Sequence, residues 1–305
     1  MEIFRNEIKV LDITVCILSY NRPDFLYECL NSVLKQTYQP YKIKIYDNAS
    51  RDDVYLKIKS LLTTSVEWIG SEINHGDRWN FNRAVSEISS KFVIVLHDDD
   101  LLCPNFLINQ LEYFCKVDDL LAISANGYRI DKTSKRLENL VINGSNSEFL
   151  IFNNELDMVK HTLTSCFPMS PTIYLSEVFK KIKINETYKQ YIDIILFLDI
   201  SRLGKLAINL MPVYECRIHD EQGSGFIPIQ DTDNLYKLYH NIVLRNNGDL
   251  DLIKYSYSNY IFSLFYNAIR FGDIKKLIIN IIPQIFKKNF KFKFFLNILI
   301  LKLIK

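Results

Sequence analysis

Along its first hundred residues the chain alternates short continuous apolar runs with longer stretches whose apolar positions recur every three or four residues. Residues 13–18 suit a strand buried on both faces. Residues 22–36 predict a helix. Asn21 can cap it, Pro23 fits its first turn, and Phe25, Leu26, Cys29, Leu30, Val33 and Leu34 form one stripe. Residues 42–46 alternate Ile43 and Ile45 with lysines, as a strand does. A helix over 52–62 would turn Val54, Ile58, Leu61 and Leu62 inward. Residues 66–69 and 92–96 predict further strands, and a helix over 79–89 would pack through Ala84, Val85 and Ile88. This alternation implies an α/β fold: a mostly parallel central sheet, right-handed crossovers and flanking helices.

The remainder is less regular. Residues 121–124 read as a strand, 132–147 as a polar loop, and Ser176 as the cap of a short helix reaching Lys181. A helix over 191–203 would stop at Gly204. Residues 206–210 and 213–218 read as two strands, and from about Thr232 the pattern turns helical. These shifts divide the chain into 1–119 and 120–230, the two halves of one α/β domain, and a helical, basic extension over 231–305.

In open parallel sheets, ligands bind beyond the carboxyl ends of the strands. The residues expected there are Ser19 to Arg22, Asp47 to Ser50 and His97 to Asp100. The last group holds three consecutive carboxylates, which repel one another. A fold keeps them cheaply only in free solvent or around a cation. At the end of a buried strand they predict a divalent-metal site facing a phosphate-bearing ligand. No Gly-x-Gly-x-x-Gly follows the first strand and no Walker lysine loop is present, which disfavours dinucleotide and P-loop chemistry.

Composition adds an asymmetry. With 48% hydrophobic and 24% charged residues the chain reads as globular. Its net charge is +2, yet residues 273–305 hold eight Lys and one Asp, so the rest of the chain is acidic. The two apolar blocks of that tail are too short to span a bilayer, and Pro283 interrupts a helix there. The tail is expected to lie as an amphipathic anchor on anionic inner-leaflet lipid, the alternative being a helical cap packed on the domain. A nucleic-acid partner is not expected. The six Cys lack close pairing and read as reduced core residues of a cytoplasmic protein. Residues 1–11 lack the apolar core of a signal peptide.

The ordered motifs carry a resemblance. They are Val15-Cys16-Ile17-Leu18-Ser19-Tyr20-Asn21-Arg22, then Ser32-Val33-Leu34-Lys35-Gln36-Thr37, Tyr46-Asp47-Asn48-Ala49-Ser50 and Asn74-His75-Gly76. Asn80, Asn82-Arg83-Ala84, the Asp run with Pro104, Asp193 ahead of Gly204, and the stretch from Pro212 to His219 follow. As a set they resemble the family 2 inverting glycosyltransferases of the GT-A fold, a Rossmann-like α/β architecture. The likeness is greatest to bacterial capsule, O-antigen and lipooligosaccharide enzymes. It covers roughly residues 12–225, densely at first and sparsely later.

The resemblance implies a nucleotide-sugar donor, expected to be UDP-linked, a growing lipid-linked cell-surface glycan as acceptor, Mn²⁺ or Mg²⁺ as cofactor, and a peripheral place on the inner face of the cell membrane. The family pattern is Asp-x-Asp-Asp, and alignment on Pro104 sets His97 at its first Asp. Asp99 is then the leading metal ligand, with Asp98 or Asp100 joining it or touching the ribose or an outer water. Asp47 would accept a hydrogen bond from the base, although a turn-forming Asp would look the same. Ser19 and Tyr20 would line the base pocket with Asn21 and Arg22 beside them, unless Arg22 only begins the helix. Asn74, Gly76, Asn80 and Arg83 would flank the nucleotide and donor sugar, with Arg83 countering a phosphate. Asp193 takes the place of the family's base, though a helix N-terminus also favours an acid. His219, with Gln222 and Ser224, would close over the diphosphate, or be a buried structural His. The rivals are a nucleotidyltransferase on a similar core and a non-catalytic nucleotide-sugar-binding partner. Asp193 with Arg217-Ile218-His219 speaks against the first and the Asp run against the second.

Overall fold

The computed structural model describes residues 12–40, 42–143, 147–184, 191–219, 229–254 and 257. Its chain divides into two compact units, residues 1–225 and 226–305. In the first unit, β1 (Ile13–Ser19), α1 (Pro23–Leu34), β2 (Lys42–Asp47), α2 (Asp52–Ile58), β3 (Val66–Ile69), α3 (Asp77–Ser86) and β4 (Phe92–His97) follow one another as the hydrophobic pattern predicts. There follow β5 (Leu101–Leu102), α4 (Phe106–Phe114), β6 (Leu120–Ile130), β7 (Arg136–Leu140), β8 (Phe149–Phe152), α5 (Glu155–Thr162), β9 (Thr172–Leu175), α6 (Ile192–Ser201) and β10 (Lys205–Arg217).

The strands join in one sheet ordered β3-β2-β1-β4-β9-β6-β10-β5, with β7 added on β6 and β8 on β10. Strands β1 to β4 are mutually parallel, and β6 is parallel to β10. The strands β5, β7, β8 and β9 pair antiparallel. A mostly parallel sheet therefore holds for the first half only, and the whole is mixed. Strand β9 reverses the direction between β4 and β6, so the carboxyl ends of β1, β2, β4, β6 and β10 all lie at one edge. That edge collects the polar strand ends described below.

Alternation along β1 sends Ile13, Val15 and Ile17 to one face, against Leu26, Leu30 and Val33 of α1, Val54 and Ile58 of α2, and Leu107 and Leu111 of α4. On the other face Phe81 of α3 meets Phe179, and Tyr174 of β9 meets Phe179 and Phe197. Helices thus cover both faces, which explains why β1 and β4 are almost wholly apolar, Thr14 and the strand ends Ser19 and His97 excepted.

Several local expectations are corrected. Asn21 does not cap α1. It adopts a left-handed backbone (φ 56°), and its side chain accepts from the amide of Arg51 at 2.9 Å, leaving Arg22 at the cap position. The helix over 52–62 ends at Ile58 and tightens into a 3₁₀ turn, Lys59–Leu61. Ser176 caps nothing, its hydroxyl being buried and unpaired. The polar stretch 132–147 contains β7, and the two strands expected around Pro212 are one strand with a bulge. Of the six free Cys only Cys16 and Cys29 are buried, and Cys115 and Cys166 lie at the surface.

Asn126 makes the bulge possible. Its Nδ2 donates to the carbonyls of Ile142 and Leu210, and its Oδ1 accepts from the amides of Gly127 and Ile142. One buried amide side chain thus satisfies main-chain groups that the interrupted ladder leaves free. Beside it runs a buried polar chain. Asn209 donates to Gln110, Gln110 to the carbonyl of Ser124, and Ser124 and Thr172 both to the carbonyl of Pro168.

The second unit is described mainly through α7 (Ile229–Arg245), whose Leu235, Tyr239, Ile242 and Val243 are buried at helical spacing. Tyr257 donates to Asp233. The basic stretch 273–305, like Gln222 and Ser224, lies outside the described residues. Among the described residues no helix is long and apolar enough to cross a membrane.

Candidate active site

Parallel pairing sets Ser19 beside Asp47 and Leu18 beside His97, so the polar ends of β1, β2 and β4 converge. The three carboxylates are buried, Asp98, Asp99 and Asp100 being 1%, 6% and 5% exposed. Burial of that much like charge needs compensation, and each acid finds a different kind.

Asp98 is the pivot of the β1 loop. Its Oδ2 accepts from the amide of Tyr20 at 3.0 Å and its Oδ1 from Arg22 Nη1 at 2.9 Å. Burial pushes its carboxyl up to about 6 against the pull of Arg22. Asp99 accepts from Arg22 Nη1 at 3.2 Å and lies 2.9 Å from His219 Nε2. Burial would raise Asp99, but His97, His219 and Arg22 outweigh it and hold the group below the usual carboxylate range. Asp100 accepts from the amide of Arg217 at 3.1 Å. Burial and the neighbouring Asp99 charge push it up to about 8. Asp100 thus carries the repulsion that the sequence suggested for the whole run.

The donor atoms of His97, Asp99 and Asp100 lie within 4.8 Å of one another. One imidazole nitrogen and two carboxylates suit Mn²⁺ or Mg²⁺. A cation would also relieve the repulsion at Asp100, so the residues fit the group. Of the three expected carboxylates, Asp98 is turned to Arg22 and the Tyr20 amide, and His97 stands in the cluster with Asp99 and Asp100. The amide of His97 donates to Ser170 Oγ at 3.1 Å, from the segment fastened by the buried polar chain.

Asp47 is buried and committed on one side only. Its Oδ2 accepts from the amide of Ser50 at 2.9 Å, as a turn-forming Asp does, while Oδ1 is buried without a partner. The hydroxyl of Ser19, its register neighbour, is also buried and unpaired. Tyr20 is exposed at the mouth, and the Asn21 amide donates to Ser50 Oγ at 2.8 Å, tying the two loops together.

The segment after β3 is held by its own side chains. Asn48 Nδ2 donates to Asn74 Oδ1 and to the carbonyl of Gly76, and Asn74 Oδ1 also accepts from the Gly76 amide at 2.8 Å. Gly76 has φ 88°, a conformation that costs a residue with a Cβ. Asn80 Nδ2 donates to the carbonyl of Tyr46 at 2.7 Å, inside the core. Arg83 donates to the carbonyl of Gly70 at 2.9 Å and lies over the rings of Trp79 and Tyr46. The structure therefore brings Asp47, Asn48, Asn74 and Gly76 together, but engages Asn80 and Arg83 in the scaffold beneath them and not with the carboxylate run.

Asp193 stands in the first turn of α6, after Tyr191 in a left-handed conformation. Burial raises its carboxyl, and the helix-start amides and the charge of His97 lower it in part. His97 thus acts on both Asp99 and Asp193. Asp199 pairs instead with Arg202 at 2.7 Å.

Arg217 is the residue that the sequence reading placed in a motif without assigning a task. Its side chain is wholly buried. Nε donates to the carbonyl of Asp99 at 2.9 Å, Nη1 to the carbonyl of Asp131 and to Ser134 Oγ, and Nη2 to Glu28 at 2.6 Å. Its guanidinium also covers the ring of Phe25. An arginine two residues before the candidate His, at the end of a long strand, was the available signal. The Ser32–Thr37 motif proves to be a clamp. Ser32 Oγ accepts from the amide of Leu102, Gln36 spans the carbonyl of Cys103 and the amide of Leu107, and the Thr37 amide donates to the carbonyl of Pro104. It fixes the chain leaving the Asp run.

This mixed sheet and its carboxylate-lined edge define an α/β protein of the GT-A type. The family model of Glycosyl transferase family 2 matches residues 14–183, and the chain belongs to that family. It is similar to an uncharacterized glycosyltransferase of Rickettsia bellii (strain RML369-C), with 23% identity over 70% of this chain and 30% of that protein. It is also similar to the Escherichia coli protein WfgD, a UDP-Glc:alpha-D-GlcNAc-diphosphoundecaprenol beta-1,3-glucosyltransferase, with 26% identity over 34% of this chain and 41% of that one. The chain thus spans less than half the length of either relative. The S. aureus TarS 1–349 structure in complex with UDP-GlcNAc shares its fold, with a TM-score of 0.57, 18% identity, and coverage of 79% of this chain and 68% of that one.

Proposed function

We propose that the protein transfers a sugar, with inversion, from a UDP-linked donor to a growing lipid-linked cell-surface glycan. The observation that carries this reading is the meeting of His97, Asp99 and Asp100 with Arg22 and His219 at the sheet edge that also bears the half-committed Asp47. Asp47 Oδ1 needs a donor, and the N3–H of uracil supplies one. The Ser19 hydroxyl can serve a base carbonyl. In the reaction the acceptor oxygen attacks the anomeric carbon, the sugar–phosphate bond breaks on the opposite face, and Asp193 takes the acceptor proton. A carboxylate raised by burial is the better base for this. The nucleoside diphosphate leaves with added negative charge, which Arg22 and His219, both in contact with Asp99, would meet. His97, Asp99 and Asp100 would hold a divalent cation, Mn²⁺ or Mg²⁺, which supplies further neutralisation of the leaving diphosphate.

A panel of nucleotide sugars scored by nucleotide release, with Mn²⁺ or with chelator, tests the reading. Release only with a UDP donor and metal, abolished in Asp99→Ala, is the expected result. Metal-independent release, or full activity in Asp99→Ala, overturns it. The acceptor's lipid carrier is the reason to propose a peripheral membrane place for the basic stretch 273–305. Truncation near Gly272 should move the protein from anionic vesicles to the supernatant, and unchanged vesicle binding refutes that part alone.

A further inference from the structure

Arg129 stands one residue before the end of β6, and parallel pairing sets it beside Cys216 of β10, the residue ahead of Arg217. Side chains alternate across a strand. Arg217 reaches Glu28 and Phe25 of α1, and Glu215 pairs with Arg136, which lies over the Tyr128 ring. Cys216 and Arg129 therefore project from the other face of the sheet. The Cys166 thiol shows what else lies there. Burial raises it, the Arg129 charge draws it back and the Asp193 carboxylate raises it further, so both charges act on one sulfur.

Arg22, Arg51, Arg83, Arg136, Arg202 and Arg217 each pair with a carboxylate. Arg129 has no such partner among the described residues. Its side chain is partly buried, and Nε is enclosed with no acceptor. The Nη1 and Nη2 end of the guanidinium stays accessible. An arginine keeps its charge at any working pH. A guanidinium drawn partly out of water without a counter-charge lowers the stability of the empty protein.

The counter-charge that Arg129 lacks is an anion, and its planar fork of N–H donors matches two oxygens of a phosphate or a carboxylate. The acids nearest along the strands are spent elsewhere. Asp99 is turned to Arg22 and His219, Asp100 to the Arg217 amide, and Glu215 to Arg136. The donor diphosphate has Arg22, His219 and the cation site, whereas Arg129 shares its face with Asp193, the group proposed to take the acceptor proton. We infer that Arg129 is the anion-binding residue of the acceptor subsite, holding a phosphate or carboxylate of the acceptor while Asp193 meets the attacking hydroxyl.

The inference rests on the glycosyltransferase reading for naming the acceptor as the bearer of the anion. A lipid-linked acceptor can present that group in the diphosphate of its carrier or in an acidic sugar, and the chemistry at Arg129 is the same for both. Binding and stability then depend on Arg129 in opposite senses. Loss of its charge removes the contact to the anion and also removes an unpaired, partly buried cation. An arginine kept for the fold would behave in the reverse way.

Saturation-transfer NMR on the full chain, with UDP and Mg²⁺ at saturation, tests this without turnover. The probes are hexyl diphosphate and methyl β-D-glucuronide, with hexanol and methyl β-D-glucoside as their uncharged counterparts. At least one anionic probe should receive saturation where its uncharged counterpart does not, and the probe that binds identifies the source of the anion. Arg129→Met keeps the apolar stem and removes the charge. It should weaken that probe by about tenfold or more, melt no lower than the parent and bind UDP as the parent does. Arg129→Lys should keep part of the affinity. Failure of both anionic probes overturns the inference, as does an Arg129→Met variant with the parent's probe affinity. Loss of UDP affinity in Arg129→Met would give the residue to the donor, and a lower melting temperature would give it to the fold; either result also overturns it. A chain that binds a probe through Arg129 yet releases no nucleotide from any donor keeps the anion site and loses the proposed function.

Discussion

At the scale of single residues, the site depends on how each buried charge is paired. Asp98 and Asp99 share Arg22, while Asp100, met by the Arg217 amide and the Ser170 hydroxyl, is still raised by burial and the Asp99 charge. Removal of a direct donor should cost metal affinity on the order of 100-fold, at the upper end of what supporting residues cost. We expect Asp99→Ala and His97→Ala each to weaken Mn²⁺ binding by that order and Asp98→Asn to weaken it far less, as read by the paramagnetic resonance of free Mn²⁺. Equal losses in all three would return Asp98 to the ligand set. At Asp193 the raised carboxyl gives a sign. The base works deprotonated, so kcat should fall as pH drops through its elevated pKa, at a higher pH than an ordinary Asp would give. Asp193→Asn should lose about 10²–10⁴ in kcat and leave UDP binding intact by calorimetry. Unchanged kcat removes Asp193 as the base. The side-chain placements of Asp47 and the Asp run at one sheet edge were legible in the sequence because strand ends are predictable places. Those of Asn80 and Arg83 were not, since sequence gives a residue's spacing on a helix but not whether the carbonyls of Tyr46 and Gly70 will claim its side chain.

At the scale of elements, the contrast between the two halves has a physical cause. Strands β1 and β4, covered on both faces, are apolar at nearly every position short of their polar ends, and the intervening helices carry apolar stripes, so pattern alone locates them. Strand β7, Arg-Leu-Glu-Asn-Leu, is largely exposed and reads as loop. Strand β10 contains Pro212, which by local rules ends a strand. It continues because Asn126, more than eighty residues earlier, supplies the missing bonds. No local window contains that information. Asn21 failed as a cap for the same reason, its side chain being drawn to the Arg51 amide across the sheet edge. The close approach of β6 and β10 is testable at Gly127. A Cβ there would lie 2.6 Å from the buried Tyr214 ring. Gly127→Ala should cost about 1–3 kcal/mol by urea denaturation. Since β10 carries Arg217 three residues after Tyr214, activity should fall as well, and a variant as stable as the parent would show that the strands can part.

At the scale of the whole molecule, one edge of a mixed sheet gathers groups from five segments, 19–22, 47–50, 74–76, 97–100 and 217–219, with Asp193 opening a helix near His97. Concentrating acids there carries a cost that depends on pH. The Asp100 carboxyl, raised to about 8 from an ordinary value of 3.8, keeps in the native state a proton that the unfolded chain has already lost. Between those values the folded form binds more protons than the unfolded one, so stability falls as pH rises. Asp98, raised to about 6, adds to the fall over the lower part of that range. In chelator, therefore, the melting temperature should decline from pH 5 to pH 8. Cation binding requires the deprotonated acids and reverses the trend. Mn²⁺ at a hundredfold excess over its Kd stabilises by about 2.7 kcal/mol, and because that Kd tightens with pH, a fixed Mn²⁺ concentration should raise the melting temperature more at pH 8 than at pH 5. Asp100→Asn removes the titrating group, so in chelator this variant should be less sensitive to pH than the parent and, at pH 8, more stable. A parent whose melting temperature in chelator rises from pH 5 to pH 8, or an Asp100→Asn variant with the parent's full slope, would mean that the strain of the acidic run is held elsewhere than at Asp100.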